Sequence, residues 1–349
     1  MKSLSLPVPN VQELASKSVK DEVPDRYIRR ELESEHVSDE SSDEIPVIDL
    51  QKLFSSDDEM TKLHIACKDW GFFQLINHGV EELIKKMVKN VEEFFHLPLE
   101  EKKAYAQQPG DSQGYGQAFV LSDDQKLDWS DMLSLTTLPI SERNLRVWPK
   151  NPPSFSETLE KYVTEMQQLT FKLLSLIAKN LGVEEKKVTS VFDEGLQGVR
   201  SNYYPPCPRA DKVIGISPHS DASIITLLIQ NNEVPGLQIR KCGNWVPVKP
   251  IQGAFVVNVG DVLEILSNGL YRSIEHRAII HPEKERISIA GFQDPNLGTV
   301  IGPIADLLDD KNFANYKTIR FDDYWGHYFS AKLDGKSVLN LMKLENNHA

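Results

Sequence analysis

Nine histidines are spread along the 349 residues, and two of them stand in settings suited to holding a metal. His219 and Asp221 lie two apart in Ser217-Pro-His-Ser-Asp-Ala222, at the start of an apolar run. On an extended chain such residues point to one side, so an imidazole and a carboxylate there can grip one ion. A third ligand has to come from a distant segment. His276, in Tyr271-Arg-Ser-Ile-Glu-His-Arg277, is expected mid-strand and is the best placed. His281 competes, but His281-Pro-Glu-Lys284 reads as a hairpin turn whose side chain faces water. Two imidazoles and one carboxylate occupy one face of an octahedral ferrous ion and leave three positions free, a set suited to oxygen chemistry. His-x-Asp alone is weak, because a strand-borne His and Asp also make a plain hydrogen-bonded pair.

Two neighbouring patterns strengthen it. Arg286-Ile-Ser288 follows the turn after His276, and its guanidinium and hydroxyl project to one side of a strand as a seat for a carboxylate. Without the metal pattern, a surface pairing of Arg286 with Glu283 or Glu285 is the simpler reading. In Arg200-Ser-Asn202-Tyr-Tyr204-Pro-Pro, alternation puts Arg200, Asn202 and Tyr204 on one face.

The elements that must position these groups come in two textures. Up to about residue 195 the chain reads as mostly helical, with an acidic linker at 31–44 and strands at 45–50 and 72–77. The clearest helix is expected between Phe155 and Leu181. Phe155, Leu159, Tyr162, Met166, Leu169, Leu173 and Leu176 step along one face as plain core, Ser154 with Glu157 forms a capping-box pattern, and Gly182 is placed to end it. Beyond residue 198 come short strands broken by Pro and Gly, at 199–204, 213–217, 224–230, 237–240, 245–249, 254–259, 270–280 and 286–292. Eight such strands predict a sandwich, jelly roll or barrel whose interior can enclose a metal. Residues 321–344 read as an amphipathic helix able to cover one mouth. The expected division is 1–195, mostly helical with flanking strands; 196–300, the strand-built unit; and 301–349, a helical cover.

Composition narrows the classes further. Charged residues make up 26% and hydrophobic residues 40%, as in an ordinary globular chain. The net charge of −12 argues against nucleic acid and anionic membrane surfaces as partners. No apolar run approaches the roughly 18 residues of a membrane span, and the N-terminal stretch does not read as a secretory signal. Cys67, Cys207 and Cys242 are irregularly spaced and read as fillers in a reducing compartment, so a cytoplasmic location is expected. Nothing demands more than a monomer.

These residues resemble the plant-type iron(II)- and 2-oxoglutarate-dependent dioxygenases, the family of flavonoid, gibberellin and alkaloid oxidases. The resemblance runs through Trp70-Gly-Phe-Phe73, Asn77-His-Gly79, Gly114-Tyr-Gly116, Leu127-Asp-Trp129, Asn202-Tyr-Tyr-Pro-Pro-Cys-Pro208, His219-Ser-Asp221, Asn258-Val-Gly-Asp261, His276-Arg-Ala278 and Arg286-Ile-Ser-Ile-Ala290. Leu263-Glu-Ile-Leu-Ser-Asn-Gly269 is similar to the specialised-metabolism, senescence-related branch. The implied fold is α+β with a mainly β core, a double-stranded β-helix (jelly roll) surrounded by N-terminal helices and a C-terminal helix. The resemblance implies His219, Asp221 and His276 as iron ligands. It also implies Arg286 and Ser288 at the distal carboxylate of 2-oxoglutarate, Tyr204 assisting, and Asn202 near the chelating end. Met132 and Ser134 are implied to face the substrate cavity, with Arg200 and Phe292 as further contacts. Implied with them are O2 as oxidant, ascorbate as reductant, and succinate and CO2 as products beside a hydroxylated, O-demethylated or desaturated small metabolite.

The nearest rival is an ascorbate-dependent iron oxidase of the aminocyclopropane-carboxylate oxidase type, which shares the Arg-x-Ser pair. A non-catalytic receptor has no need of three converging ligands with open positions. A zinc hydrolase lacks a separately placed general base here, and a nucleic-acid demethylase is disfavoured by the negative charge.

Overall fold

The computed structural model describes residues 5–17, 23–34, 44–108, 110–193 and 195–345. Most of the acidic stretch at 31–44 lies outside the described residues. The strands in chain order are β1 (Val47–Asp49), β2 (Phe72–Ile76), β3 (Gly114–Gly116), β4 (Asp131–Leu138), β5 (Leu196–Tyr204) and β6 (Ile216–His219). They continue with β7 (Ile225–Gln230), β8 (Leu237–Lys241), β9 (Asn244–Pro247), β10 (Phe255–Val259), β11 (His276–Ala278) and β12 (Arg286–Asp294), and end with the short pair β13 (Val300–Ile301) and β14 (Ile319–Arg320). Helices are α1 (Val11–Lys17), α2 (Asp57–Ile65), α3 (Glu81–Phe95), α4 (Leu99–Lys103), α5 (Phe155–Leu181), α6 (Lys186–Thr189), α7 (Asp261–Leu266), α8 (Phe321–Phe329) and α9 (Ser337–Leu341).

Among the described residues, one sheet runs β1-β2-β10-β7-β12-β5-β4-β3 and a smaller one runs β6-β11-β8-β9. This is the jelly roll that the strand count predicts. Side-chain alternation gives the large sheet two uses. Odd-numbered residues such as Leu133, Leu135, Val199, Leu227, Ile229, Ile287 and Ile289 join the core that also holds the buried face of α5. Even-numbered residues face the smaller sheet and form cross-strand rows. Ser288 stands opposite Asn202, which stands opposite Met132; Ala290, Arg200 and Ser134 form the next row; Phe292, Gly198 and Thr136 the one after.

The helix expected at Phe155–Leu181 forms over those residues, with every member of its apolar stripe buried. Gly182 ends it at φ +71, in the left-handed region that favours glycine. The capping box does not form: Ser154 Oγ donates to Asn90 Oδ1 at 2.7 Å instead of capping the first turn. The cover expected at 321–344 is broken into α8 and α9 by a turn through Gly335, whose φ is +53. The strand expected at 270–280 shrinks to β11, because 267–271 forms a turn and Glu264 takes the Ser267 hydroxyl and the Ser273 N–H. The strand expected at 213–217 runs instead through Ile216–His219. Cys67 and Cys207 are buried, whereas Cys242 is exposed in the turn between β8 and β9. No helix among the described residues is long and apolar enough to cross a membrane.

Candidate metal centre and cosubstrate seat

His219 ends β6 rather than opening a strand, and Asp221 stands in the loop before β7, so strand alternation is not what brings them together. The backbone turn does so, held where Asp261 N–H donates to the Asp221 carbonyl at 2.7 Å. His276 opens β11 rather than sitting mid-strand, and the register pairs it directly with His219. The imidazole centroids are 4.3 Å apart, and Asp221 Oδ1 lies 3.5 Å from His219 Nε2 and 3.6 Å from His276 Nε2.

Neighbours decide which atoms face inward. His219 Nδ1 lies 2.8 Å from the Ser217 carbonyl and His276 Nδ1 3.1 Å from the Ile274 carbonyl. A carbonyl only accepts, so each Nδ1 carries the proton and each Nε2 keeps its lone pair for the centre. Asp221 Oδ2 accepts from Thr226 Oγ1 at 2.7 Å and Asn258 Nδ2 at 2.8 Å, leaving Oδ1 turned to the two imidazoles. Burial pushes the Asp221 carboxyl up, but His276, His219 and Asn258 outweigh it and hold it well below the usual range. Burial, and then the His219 charge, push His276 down to about 4. An ionised carboxylate therefore faces two Nε2 atoms. His281 stands apart from the trio; its Nδ1 accepts from the Glu283 and Lys284 N–H groups and shapes the turn.

Arg286, Ser288, Tyr204 and Asn202 line one cavity with the trio. Arg286 is 3% exposed; its Nε donates to Gln230 Oε1 at 2.9 Å, and its guanidinium lies 5.0 Å from the Tyr204 ring centroid. Nη1 is buried without a protein partner. A buried cation with an unengaged donor fits a carboxylate, which takes paired N–H groups from guanidinium. Tyr204 and Ser288 stand beside it, their hydroxyls 3.4 Å apart. Asn202 Oδ1 accepts from Arg200 Nε at 2.8 Å, leaving its amide donors uncommitted to that pair.

A second chamber, of about 120 Å³, adjoins the trio. Met132, Ser134, Arg200 and Phe292 all line it, and so do Phe119, Trp325, Tyr328, Phe329 and Asp294, which sequence reasoning passed over. Ala118, Phe119, Met132, Arg200 and Leu333 also border an outer cleft of about 830 Å³ that leads inward. Thr226, Asn258 and Gln230 were missed too. Asn258 lies in a quoted motif, whereas nothing in the spacing of the other two marks them.

Comparison with known proteins gives the chain's relatives. The model of the 2OG-Fe(II) oxygenase superfamily matches residues 196–295, and that of the non-haem dioxygenase in morphine synthesis N-terminal region matches 45–151. S-norcoclaurine synthase 1 of Coptis japonica is 54% identical, with 97% of each chain covered. Oxoglutarate-dependent flavonoid 7-O-demethylase 1 of Ocimum basilicum is 47% identical over 98% of this chain and 92% of its own. A crystal structure of JOX2 in complex with 2OG, Fe and JA superposes with a TM-score of 0.90 at 36% identity, covering 99% of this chain and all of that one.

Proposed function

The chain belongs to the 2OG-Fe(II) oxygenase superfamily, and from that premise we propose that it oxidises a small plant specialised metabolite by hydroxylation, O-demethylation or desaturation. It is an oxidoreductase whose family uses Fe(II), 2-oxoglutarate and O2. In our reading His219, Asp221 and His276 hold the iron, and Arg286, Ser288, Tyr204 and Asn202 seat 2-oxoglutarate. Met132, Ser134, Arg200 and Phe292 touch the substrate. One observation carries this: two Nε2 atoms and one carboxylate oxygen converge beside a buried, underused guanidinium.

When bound, the iron supplies oxygen activation coupled to loss of CO2 from 2-oxoglutarate, and hydrogen abstraction from the substrate. The protein's own part is position and water exclusion. The Ser217 and Ile274 carbonyls keep both Nε2 lone pairs aimed at one point, while Thr226 and Asn258 stop Asp221 from rotating. Gln230 holds Arg286 so that its remaining donors meet the distal carboxylate. Phe292 and Met132 present apolar surface where the reacting C–H must lie.

We further read the enzyme as a cytoplasmic monomer that takes ascorbate as reductant and does not bind nucleic acid. The division at residues 195 and 300 is kept as part of this reading. The named relatives include a synthase and a demethylase, so likeness alone does not choose the reaction. Succinate release is therefore screened against flavonoids, coumarin precursors and alkaloids, with formaldehyde measured to detect O-demethylation. His219→Ala is expected to abolish ferrous binding and turnover. Arg286→Ala should raise the KM for 2-oxoglutarate roughly 100-fold, since a buried charge-assisted pair is lost. Turnover that does not depend on 2-oxoglutarate would instead support the ascorbate-type oxidase.

A further inference from the structure

The turn at 231–236 joins β7 of the large sheet to β8 of the small one and closes against the side chain of Arg286. It ends in Pro235-Gly236, a pair that ordinarily marks a turn in which glycine supplies a left-handed φ. Here Gly236 is buried and its φ lies outside the left-handed region, so backbone conformation does not call for glycine. Space does. A Cβ added at Gly236 would lie 2.6 Å from Arg286 Cδ, 2.8 Å from Nε and 3.3 Å from Cζ. Non-bonded carbon atoms rest about 3.5–4.0 Å apart, so such a methyl and the arginine stem cannot both keep their places.

Neither side has room to give way. Arg286 is buried, and the Tyr204 ring beside its guanidinium packs so closely on Gly215 that a Cβ there would come 2.8 Å from the ring's Cδ1. The turn is pinned as well. Gln230 Nε2 donates to the Asn232 and Val234 carbonyls, each at 2.7 Å, Asn232 Nδ2 donates to the Glu285 carbonyl at 2.9 Å, and Ile279 N–H donates to the Gly236 carbonyl at 2.8 Å. Gln230 also accepts from Arg286 Nε, so one amide ties the guanidinium and the turn into a single body. The bare α-carbon of Gly236 is a wall of that body, and close approach to a backbone is a use that only glycine serves.

We infer that Gly236 is a positioning residue for the cosubstrate: its missing side chain sets how deep Arg286 rests, and so where the unpartnered Nη1 meets the distal carboxylate of 2-oxoglutarate. This rests on the cosubstrate seat proposed above and deepens it. A methyl group at this position displaces the guanidinium without touching the cosubstrate, and a charge-assisted pair weakens when its donors are misplaced.

The test titrates 2-oxoglutarate calorimetrically into the full-length protein loaded with manganese. Gly236→Ala is expected to raise the dissociation constant roughly 10- to 100-fold, as a misplacement of about 1 Å does. In protein already carrying Arg286→Ala the stem is gone and the methyl enters the space it leaves. Adding Gly236→Ala there should change the weakened constant by less than about twofold. Gly326→Ala on α8, where an added Cβ meets nothing within 4 Å, should keep the wild-type constant. An unchanged constant in Gly236→Ala, an equal further loss in the Arg286→Ala background, or a comparable loss in Gly326→Ala overturns the inference. Thermal melting of the metal-free protein gives a second reading: Gly236→Ala should lower the midpoint of the wild-type chain and not that of Arg286→Ala. Where Gly236→Ala does not fold, recovery of the fold in the double variant supports the inference and failure of both defeats it. Binding of 2-oxoglutarate to the wild-type manganese protein is read first. Its absence strikes the oxygenase reading, whereas an unchanged constant in Gly236→Ala strikes only the role of Gly236.

Discussion

Asn258 and Thr226 both donate to Asp221 Oδ2, and by doing so they choose which carboxylate oxygen faces the imidazoles. Removing such a partner ordinarily weakens metal affinity 10- to 100-fold without removing a ligand. Asn258→Ala is therefore expected to raise the dissociation constant for Fe(II) or Mn(II) by that factor, measured by metal titration. An unchanged constant would show that Thr226 and the backbone hold Asp221 without Asn258. The contrast with what could be read beforehand is chemical. His219, Asp221, His276, Arg286 and Ser288 stand out because few structural roles need those types at those spacings. Thr226, Gln230 and Asp294 look like ordinary strand residues, and only the register of β7 and β12 against their neighbours brings them inward.

At the scale of elements, one buried carboxylate helps to dock the first turn of α1. Asp131, on β4, accepts from the N–H groups of Val11 at 3.0 Å and Gln12 at 2.7 Å. Lys102 on α4 and the phenols of Tyr27, Tyr115 and Tyr203 are the titratable groups around it. Burial pushes the Asp131 carboxyl up from 3.8 to about 6, despite those backbone donors and Lys102. A carboxyl raised on folding stabilises fully below its unfolded value and loses that contribution as pH rises through the folded one. The stability of the wild-type protein relative to Asp131→Asn should therefore fall by up to about 3 kcal/mol between pH 4 and pH 7, read from denaturant midpoints. A difference flat with pH would contradict this. Helix α5 was legible to its ends because its period, length and terminal glycine agree. The breaks at β11 and between α8 and α9 were not, since they are imposed by hydrogen-bond partners that no periodicity marks, Glu264 nine residues before Ser273 and the distant Pro218–Ser220 backbone.

For the whole molecule, the segment before residue 196 supplies β1 to β4, half of the large sheet, together with α3 and α5 against its outer face. A fragment of residues 196–300 thus exposes the row of Val199, Leu227, Ile229, Ile287 and Ile289 to water, at roughly 1.5–3 kcal/mol per side chain. It is expected to be unfolded by circular dichroism, while the full chain melts in one transition; an independently folded fragment would show that the helices are accessory. The jelly roll was readable from strand count and turn spacing, and the strands at 45–50 and 72–77 were read too; that these and β4 complete the large sheet was not, because only the long-range pairings of β2 with β10 and β4 with β5 make it so.

The peptide around Ser220 is gripped from far downstream. Its N–H donates to the Gly335 carbonyl at 3.2 Å, Gly335 N–H donates to the Pro218 carbonyl at 2.8 Å, and Tyr328 closes the Ser220 carbonyl. A nascent polypeptide still threaded through the ribosome at residue 330 has therefore completed every strand of the roll while the stretch between His219 and Asp221 is braced by Asp261 alone and not yet by Gly335. A stop codon introduced after residue 300 is therefore expected to yield a product with all its proposed ligands and a weaker hold on the ion.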